Sequence, residues 1–354
     1  MAFAQTALLV VAGMMGTLDA GASSPAQPPA PATTVEAEPP RPYPTLVTEQ
    51  TRADKAAVAA LEKPGELLLS DGFETAEALN RYFEVQGAKE GLAAIVTDIA
   101  ATGKGSLRLT AKNKGGASSG ASAHLWFGAR PKAGRADGYE RIYMRHLTRF
   151  AEDYDQGNLN HTGGSLSAVA GDNKWSGMGG AGLRPVGDDH LSSRVEPWKD
   201  WGRLQPPGYL FCYVYWMDMK LDKDGHYWGN MLGPAVAERL VPLRGKWYCV
   251  EQMIKLNTFT GGRPNADGEL AVWIDGVLYQ HYTGFRWRSS EAVRLKRASL
   301  MVYIHKAERD NTVWYDDLAI STGYIGPGKV GALDPMTDRP PAATAPPAST
   351  PASP

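Results

Sequence analysis

The segment 243–279, LRGKWYCVEQMIKLNTFTGGRPNADGELAVWIDGVLY, constrains the fold more than any other part of this chain. Runs with β-type alternation are cut by a Gly-rich stretch, by Asp267-Gly268 and by Asp275-Gly276. Asp-Gly suits the tight turns whose twist matches that of the strands they join, so each such pair between alternating apolar runs marks a hairpin. Antiparallel sheet is the consequence.

Similar short runs separated by turn residues recur at 66–69, 93–99, 106–111, 121–127, 139–150, 164–170, 180–186 and 209–219. They continue at 247–257, 269–274, 277–282, 298–305 and 312–321. Helix signals are confined to 53–61 and 75–82, and many short strands with few helices predict an all-β sandwich or jelly roll. Side chains two apart share a face of a strand. In 139–150 one parity carries Ile142 and Met144, the other Arg141, Tyr143 and Arg145. Tyr209, Phe211, Tyr213 and Tyr215 share a parity, and so do Met301, Tyr303 and His305. A sheet whose outward face keeps Arg, Tyr and His presents the floor of a groove.

The ends read differently from the middle. An apolar run at 7–15 followed by Ala20-Gly21-Ala22 has the form of a cleavable leader, so 1–22 is expected to be a signal peptide and the mature protein secreted or periplasmic. Residues 23–63 are expected to be a Pro/Ala-rich linker and 329–354 a disordered Pro/Ala/Thr-rich tail, which leaves 64–328 as the domain. No later run is long and apolar enough for a membrane span. A net charge of -1 and a pI near 6.7 exclude the basic footprint of a dedicated nucleic-acid binder. A monomer is expected. Cys212 and Cys249 sit in expected strands of an exported chain, where a disulfide can persist, and the sequence leaves open whether they pair.

From 139 to 326 the motifs follow a definite order. YERIYMRHLTRF precedes HTGGSLSAVAG, SGMGGAGLR and FCYVYW, and the Trp-led strand with its hairpin leads to a closing VWYDDLAIS. This order resembles polysaccharide lyase family 14, the alginate-lyase-like polyuronate lyases. The resemblance implies a concanavalin A-like β-jelly roll sandwich of two antiparallel sheets, an acidic polysaccharide as partner and metal-independent β-elimination. It implies proton transfer by Tyr213 and Tyr215, and substrate binding by Arg184 after the Gly-rich turn. Family members active on alginate carry a lysine soon after the Gly-Gly pair, where this chain has Ser165. His161, just before the pair, or Lys174, beyond it, could supply the missing group.

β-Elimination on a uronate needs its carboxylate neutralised, a base for the C5 proton and an acid for the leaving O4. Positioned Arg, Tyr, His and Lys can do all three. The candidate catalytic residues are therefore Tyr213, Tyr215 and His161. Candidate substrate-binding residues are Arg184, Arg145, Lys174, Trp175, Lys255 and His305. Arg145 suits a carboxylate through its planar fork, although a rim ion pair is the plainer reading. Lys255 equally suits an ion pair with Glu251, and His146 shares parity with core residues. No catalytic metal or cofactor is expected; Asp316-Asp317, with Asp71 or Glu74, could hold a structural calcium. A glycosidase would need two flanking carboxylates on strands, and no Glu-x-Asp-x-Glu is present. The competing reading is a non-catalytic, lectin-like carbohydrate-binding jelly roll using the same groove.

Overall fold

The computed structural model describes residues 42–128, 137–157 and 159–328. The expected leader 1–22 and tail 329–354 lie outside them. In chain order the first elements are β1 (Thr45–Leu46), α1 (Thr48–Ala53), α2 (Lys55–Leu61), β2 (Leu67–Asp71), β3 (Glu84–Gln86) and β4 (Ala93–Val96). Next come β5 (Ser106–Ala111), β6 (Ser119–Trp126), β7 (Arg141–Phe150), β8 (Asn160–Ala170), β9 (His190–Trp198), β10 (Tyr209–Tyr215) and β11 (Asn230–Leu232). The chain closes with β12 (Trp247–Lys255), the ribbon β13 (Phe259–Thr260) and β14 (Arg263–Pro264), then β15 (Gly268–Ile274), β16 (Val277–Phe285), β17 (Val293–Ile304) and β18 (Asn311–Ser321).

Two antiparallel sheets result. The first runs β1-β16-β15-β12-β7-β18-β5-β4 with β2 also on β18; the second runs β11-β10-β9-β8-β17-β6-β3. The chain is thus an all-β jelly-roll sandwich. Val313, Tyr315, Leu107, Ile142, Met144 and Val250 of the first sheet share one core with Leu166, Val195, Leu210, Val214, Leu300 and Val302 of the second. Each is the alternate residue of its strand, and burying such side chains stabilises by about 1.5–3 kcal/mol apiece.

The hairpin of residues 268–285 forms at Asp275-Gly276, both with positive φ, as the turn chemistry requires. His146 is the core histidine its parity implies: it is buried, its Nδ1 lies 2.8 Å from Thr148 Oγ1, and burial holds its pKa down at about 3.

Two expectations give way. First, residues 180–186 form turns and a single bridge, Gly182 to Tyr227, whereas the strand of this region is β9. Second, the expected linker ends earlier than residue 63. β1 pairs with β16, Asp54 caps α2 by accepting the Ala56 and Ala57 N–H groups at 2.8 and 3.2 Å, and Leu61 is buried among Tyr143, Met253, Ala271, Trp273 and Leu278. Tyr143 donates to the Leu61 carbonyl at 2.6 Å and Trp273 to Glu62 at 3.0 Å, so this segment covers the outer face of the first sheet. Cys212 and Cys249, whose pairing the sequence left open, are both free thiols, buried on different sheets.

The acidic residues named for a possible structural calcium bond the protein's own groups. Asp316 accepts the Ala101 and Thr102 N–H groups, Asp71 the Phe73 N–H, and Glu74 the Lys104 N–H, while Asp317 pairs with Arg145. Among the described residues no three Asp, Glu, His or Cys side chains converge in one cluster. Nor is any described helix long and apolar enough to cross a membrane.

Candidate active site

The outer face of the second sheet carries the chemistry, because strand register lines polar side chains up in rows. One row reads Tyr213, Arg194, Ser165, Ser299, His124 and Glu84 across β10, β9, β8, β17, β6 and β3. The next reads Tyr215, Ser192, Ser167 and Arg297. At the β10 end a cavity of about 760 Å³ opens over Tyr213, Tyr215, His161, Glu196 and His305, with Trp198, Trp201 and Trp228 among its walls.

Two glycines let the floor form. Gly163 has φ +143° and a Cβ there would stand 2.0 Å from the Val195 carbonyl, so β8 and β9 could not approach as they do. On the other face a Cβ on Gly164 would meet the His146 ring at 2.2 Å. The Gly-Gly pair is therefore a packing requirement on both faces at once.

His161 lies at the centre of the site. Its ring centroid is 5.0 Å from that of Tyr213, 6.2 Å from Tyr303, on which it stacks, and 5.7 Å from His305. Its Nδ1 is 3.2 Å from Glu196 Oε2, and Glu196 is only 2% exposed. A buried carboxylate at that distance selects the tautomer with the proton on Nδ1, which leaves Nε2 as an acceptor. The Arg194 Nε lies 3.6 Å from the same Glu196 oxygen, and Arg194 donates to the Gly163 carbonyl at 3.3 Å. Burial lowers the pKa of Arg194, but an arginine so placed stays charged.

Tyr213 and Tyr215 meet edge to face at 5.7 Å. The Tyr213 oxygen accepts the Gly229 N–H at 2.9 Å. Burial, then the Tyr215 phenol and Glu196, push the Tyr213 pKa well above the usual phenol range, so it holds its proton at neutral pH.

The structure thus brings together Tyr213, Tyr215, His161 and His305. Lys174 and Trp175 lie beyond, toward the β3 edge: the Trp175 ring packs edge-on against Phe83 and His124 at 5.2 and 5.6 Å, and the Lys174 ammonium stands 5.4 Å from the Phe83 ring. Arg297 holds that loop by donating to the Lys174 and Ser176 carbonyls at 2.7 and 3.0 Å. Burial with the neighbouring Arg194 lowers the Arg297 pKa to about 10, and burial with both arginines lowers that of His124 to about 3.

Three expected binding residues are elsewhere. Arg184 donates to the Met217 carbonyl at 3.3 Å, lies 5.4 Å from the Tyr227 ring and does not line the cavity. Arg145 and Lys255 belong to the other sheet. There Arg145 bonds Asp317 at 2.8 Å and the Gly326 carbonyl at 3.2 Å, and Lys255 bonds Glu269, not Glu251, at 2.6 Å. The residues that sequence reading missed are Arg194 and Glu196. Their signal was the alternation of Ser192, Arg194 and Glu196 in 190–198, which places them on one face.

No family model and no curated protein matches this sequence. Solved structures do. The marine PL-14 alginate lyase from Aplysia kurodai has a TM-score of 0.53 at 15% identity, over 73% of this chain and 99% of that one. The alginate lyase vAL-1 from Chlorella virus gives 0.49 at 15%, over 73% and 100%. The endo-β-1,4-glucuronan lyase from the fungus Trichoderma reesei gives 0.48 at 15%, over 73% and 97%. This chain therefore shares its fold with the Aplysia alginate lyase.

Proposed function

We propose that this protein is a polysaccharide lyase of the family 14 type that cleaves a uronate-containing polymer by β-elimination, without a metal. The observation that carries this reading is the convergence of Tyr213, Tyr215, His161 and Glu196 on one cavity, with Arg194 just behind it as the cross-strand partner of Tyr213, 3.6 Å from Glu196. Arg194 neutralises the C5 carboxylate, which makes the C5 proton acidic and stabilises the charge that develops on its removal. His161 Nε2, freed as an acceptor by the Glu196 contact, takes that proton. The electron pair left on C5 forms the C4=C5 double bond as the C4–O4 bond breaks. A phenol of the tyrosine pair returns a proton to the departing O4. Arg194 thus takes the place that the resemblance gave to Arg184, and supplies the cation absent at Ser165. Trp198, Trp201 and Trp228 give faces on which sugar rings can stack. A polymer of this kind lies outside the cytoplasm, in keeping with an exported chain.

Incubating the protein with alginate, polyglucuronate and related polyuronates while following absorbance of the unsaturated product tests the reading. Tyr215→Phe should lower turnover about 10²–10⁴-fold with binding preserved. Wild-type turnover in that variant would remove the tyrosine pair from the mechanism. The second reading, a lectin-like module, is favoured by Ser165 at the sheet centre; tight glycan binding with no gain in absorbance would select it.

A further inference from the structure

A different row of side chains crosses the outer face of the first sheet. Register places Trp247 of β12 beside Arg149 of β7, Arg149 beside Trp314 of β18, and Trp314 beside Arg108 of β5. All four alternate with core residues such as Tyr248, Phe150, Val313 and Leu107, so they point away from the core, and all are half-buried. The N-terminal segment covers this face around Tyr143 and Trp273. At the β5 side of Trp314 a cleft of about 320 Å³ opens, lined by Arg108, Thr110, Thr312 and Trp314, with Lys112 and Asp310 paired at 2.6 Å beside it. That pairing cancels the Asp310 charge, and Glu90 stands exposed at the edge.

The row is short of acceptors. Arg149 Nε, Arg108 Nε and Trp314 Nε1 are shielded from water and have no hydrogen-bond partner. Arg149 makes no ion pair with any described residue, and Arg108 has one long bond, 3.3 Å, to the Gly91 carbonyl. Two under-used guanidinium groups flanking an indole offer a planar face and forked donors together, which suits a sugar ring bearing a carboxylate. Trp247 and Trp314 stand two strand spacings apart, about 10 Å, a span of roughly two pyranose units.

We propose that this row is a second, non-catalytic binding site for an acidic polysaccharide, with rings lying along Trp314 and Trp247 and carboxylates on Arg149 and Arg108. It shares with the groove only the chemistry of the ligand, and it would hold the polymer on the side of the sandwich opposite the cavity. Electrophoresis of the full chain through gels containing polyglucuronate, alginate or a neutral glucan tests it. Wild type and Tyr215→Phe should be retarded by the acidic polymers and less by the neutral one. Trp314→Ala and the milder Arg149→Gln should weaken that retardation about tenfold or more, the factor expected on losing a charge-assisted contact. Both variants should cleave short oligouronates as wild type does. Equal retardation of wild type and both variants, or equal retardation by the neutral glucan, would overturn the site. Should the wild type cleave no polyuronate, loss of retardation in Trp314→Ala still supports it, so the two readings fail separately.

Discussion

At the scale of single residues, the site depends on which arginine reaches the tyrosines. Arg194 is the cross-strand partner of Tyr213, and a fixed fork there can hold a carboxylate with two parallel bonds, which a lysine cannot. Arg194→Lys keeps the charge and loses the fork, so kcat/KM on a polyuronate should fall about 10–100-fold while the circular dichroism spectrum stays that of the wild type. Unchanged kcat/KM would take carboxylate binding away from Arg194. Part of the geometry was legible: parity put Tyr213 and Tyr215 on one face and His305 on the non-core face of its strand, the resemblance singled out the two tyrosines, and all three line the cavity. Arg184 was named from the resemblance, by its place after the Gly-rich turn, and the turns of 180–186 carry it to the Met217 carbonyl and away from the cavity lining. Arg145 and Lys255 were misjudged for another reason, since parity says that a side chain leaves the core but not from which of the two sheets.

At the scale of elements, β9 was the strand that sequence patterning concealed. Ser192, Arg194 and Glu196 take its outward positions, and Pro197 in a run argues against an inner strand. Yet β9 lies between β8 and β10, and the Pro197 carbonyl accepts the Asn160 amide at 3.0 Å. The opposite error concerned the N-terminal helices. Their Pro- and Ala-rich surroundings hid the side chains that anchor them: Thr51 against His281 and Arg52 on the Leu278 carbonyl for α1, and for α2 Leu61, which packs among Tyr143 and Trp273. Leu61→Ala should cost about 2–4 kcal/mol and lower the melting temperature by several degrees, measured by calorimetry. A melting temperature equal to that of wild type would show that this segment adds nothing to the sandwich.

At the scale of the whole molecule, the pH dependence of stability should carry the mark of Glu251, which ties the closing segment to the first sheet. Its two oxygens accept the Ile325 and Gly326 N–H groups, each at 2.9 Å. Burial raises its pKa to about 7 from 4.5, against those two bonds and the pull of Arg145. Below pH 4.5 the carboxyl is protonated whether the chain is folded or not, and its contribution to stability is complete. Between 4.5 and 7 the unfolded chain releases the proton and the folded chain keeps it, so stability falls as pH rises, by up to about 3 kcal/mol, and levels off above 7. Glu269 acts in the other direction. Although burial raises its pKa, bonds from His281 and Lys255 outweigh that and hold it near 2, so its contribution is present above 4.5 and is lost as pH falls through 2. Together the two groups place the maximum of stability near pH 4.5, the ordinary range of a free glutamate. Glu251→Gln removes the titration and leaves one acceptor for two donors. Urea unfolding at pH 5 and pH 8 should therefore show a smaller difference between the two pH values in this variant than in wild type. An identical difference would mean that Glu251 ionises in the folded protein as freely as in the unfolded chain.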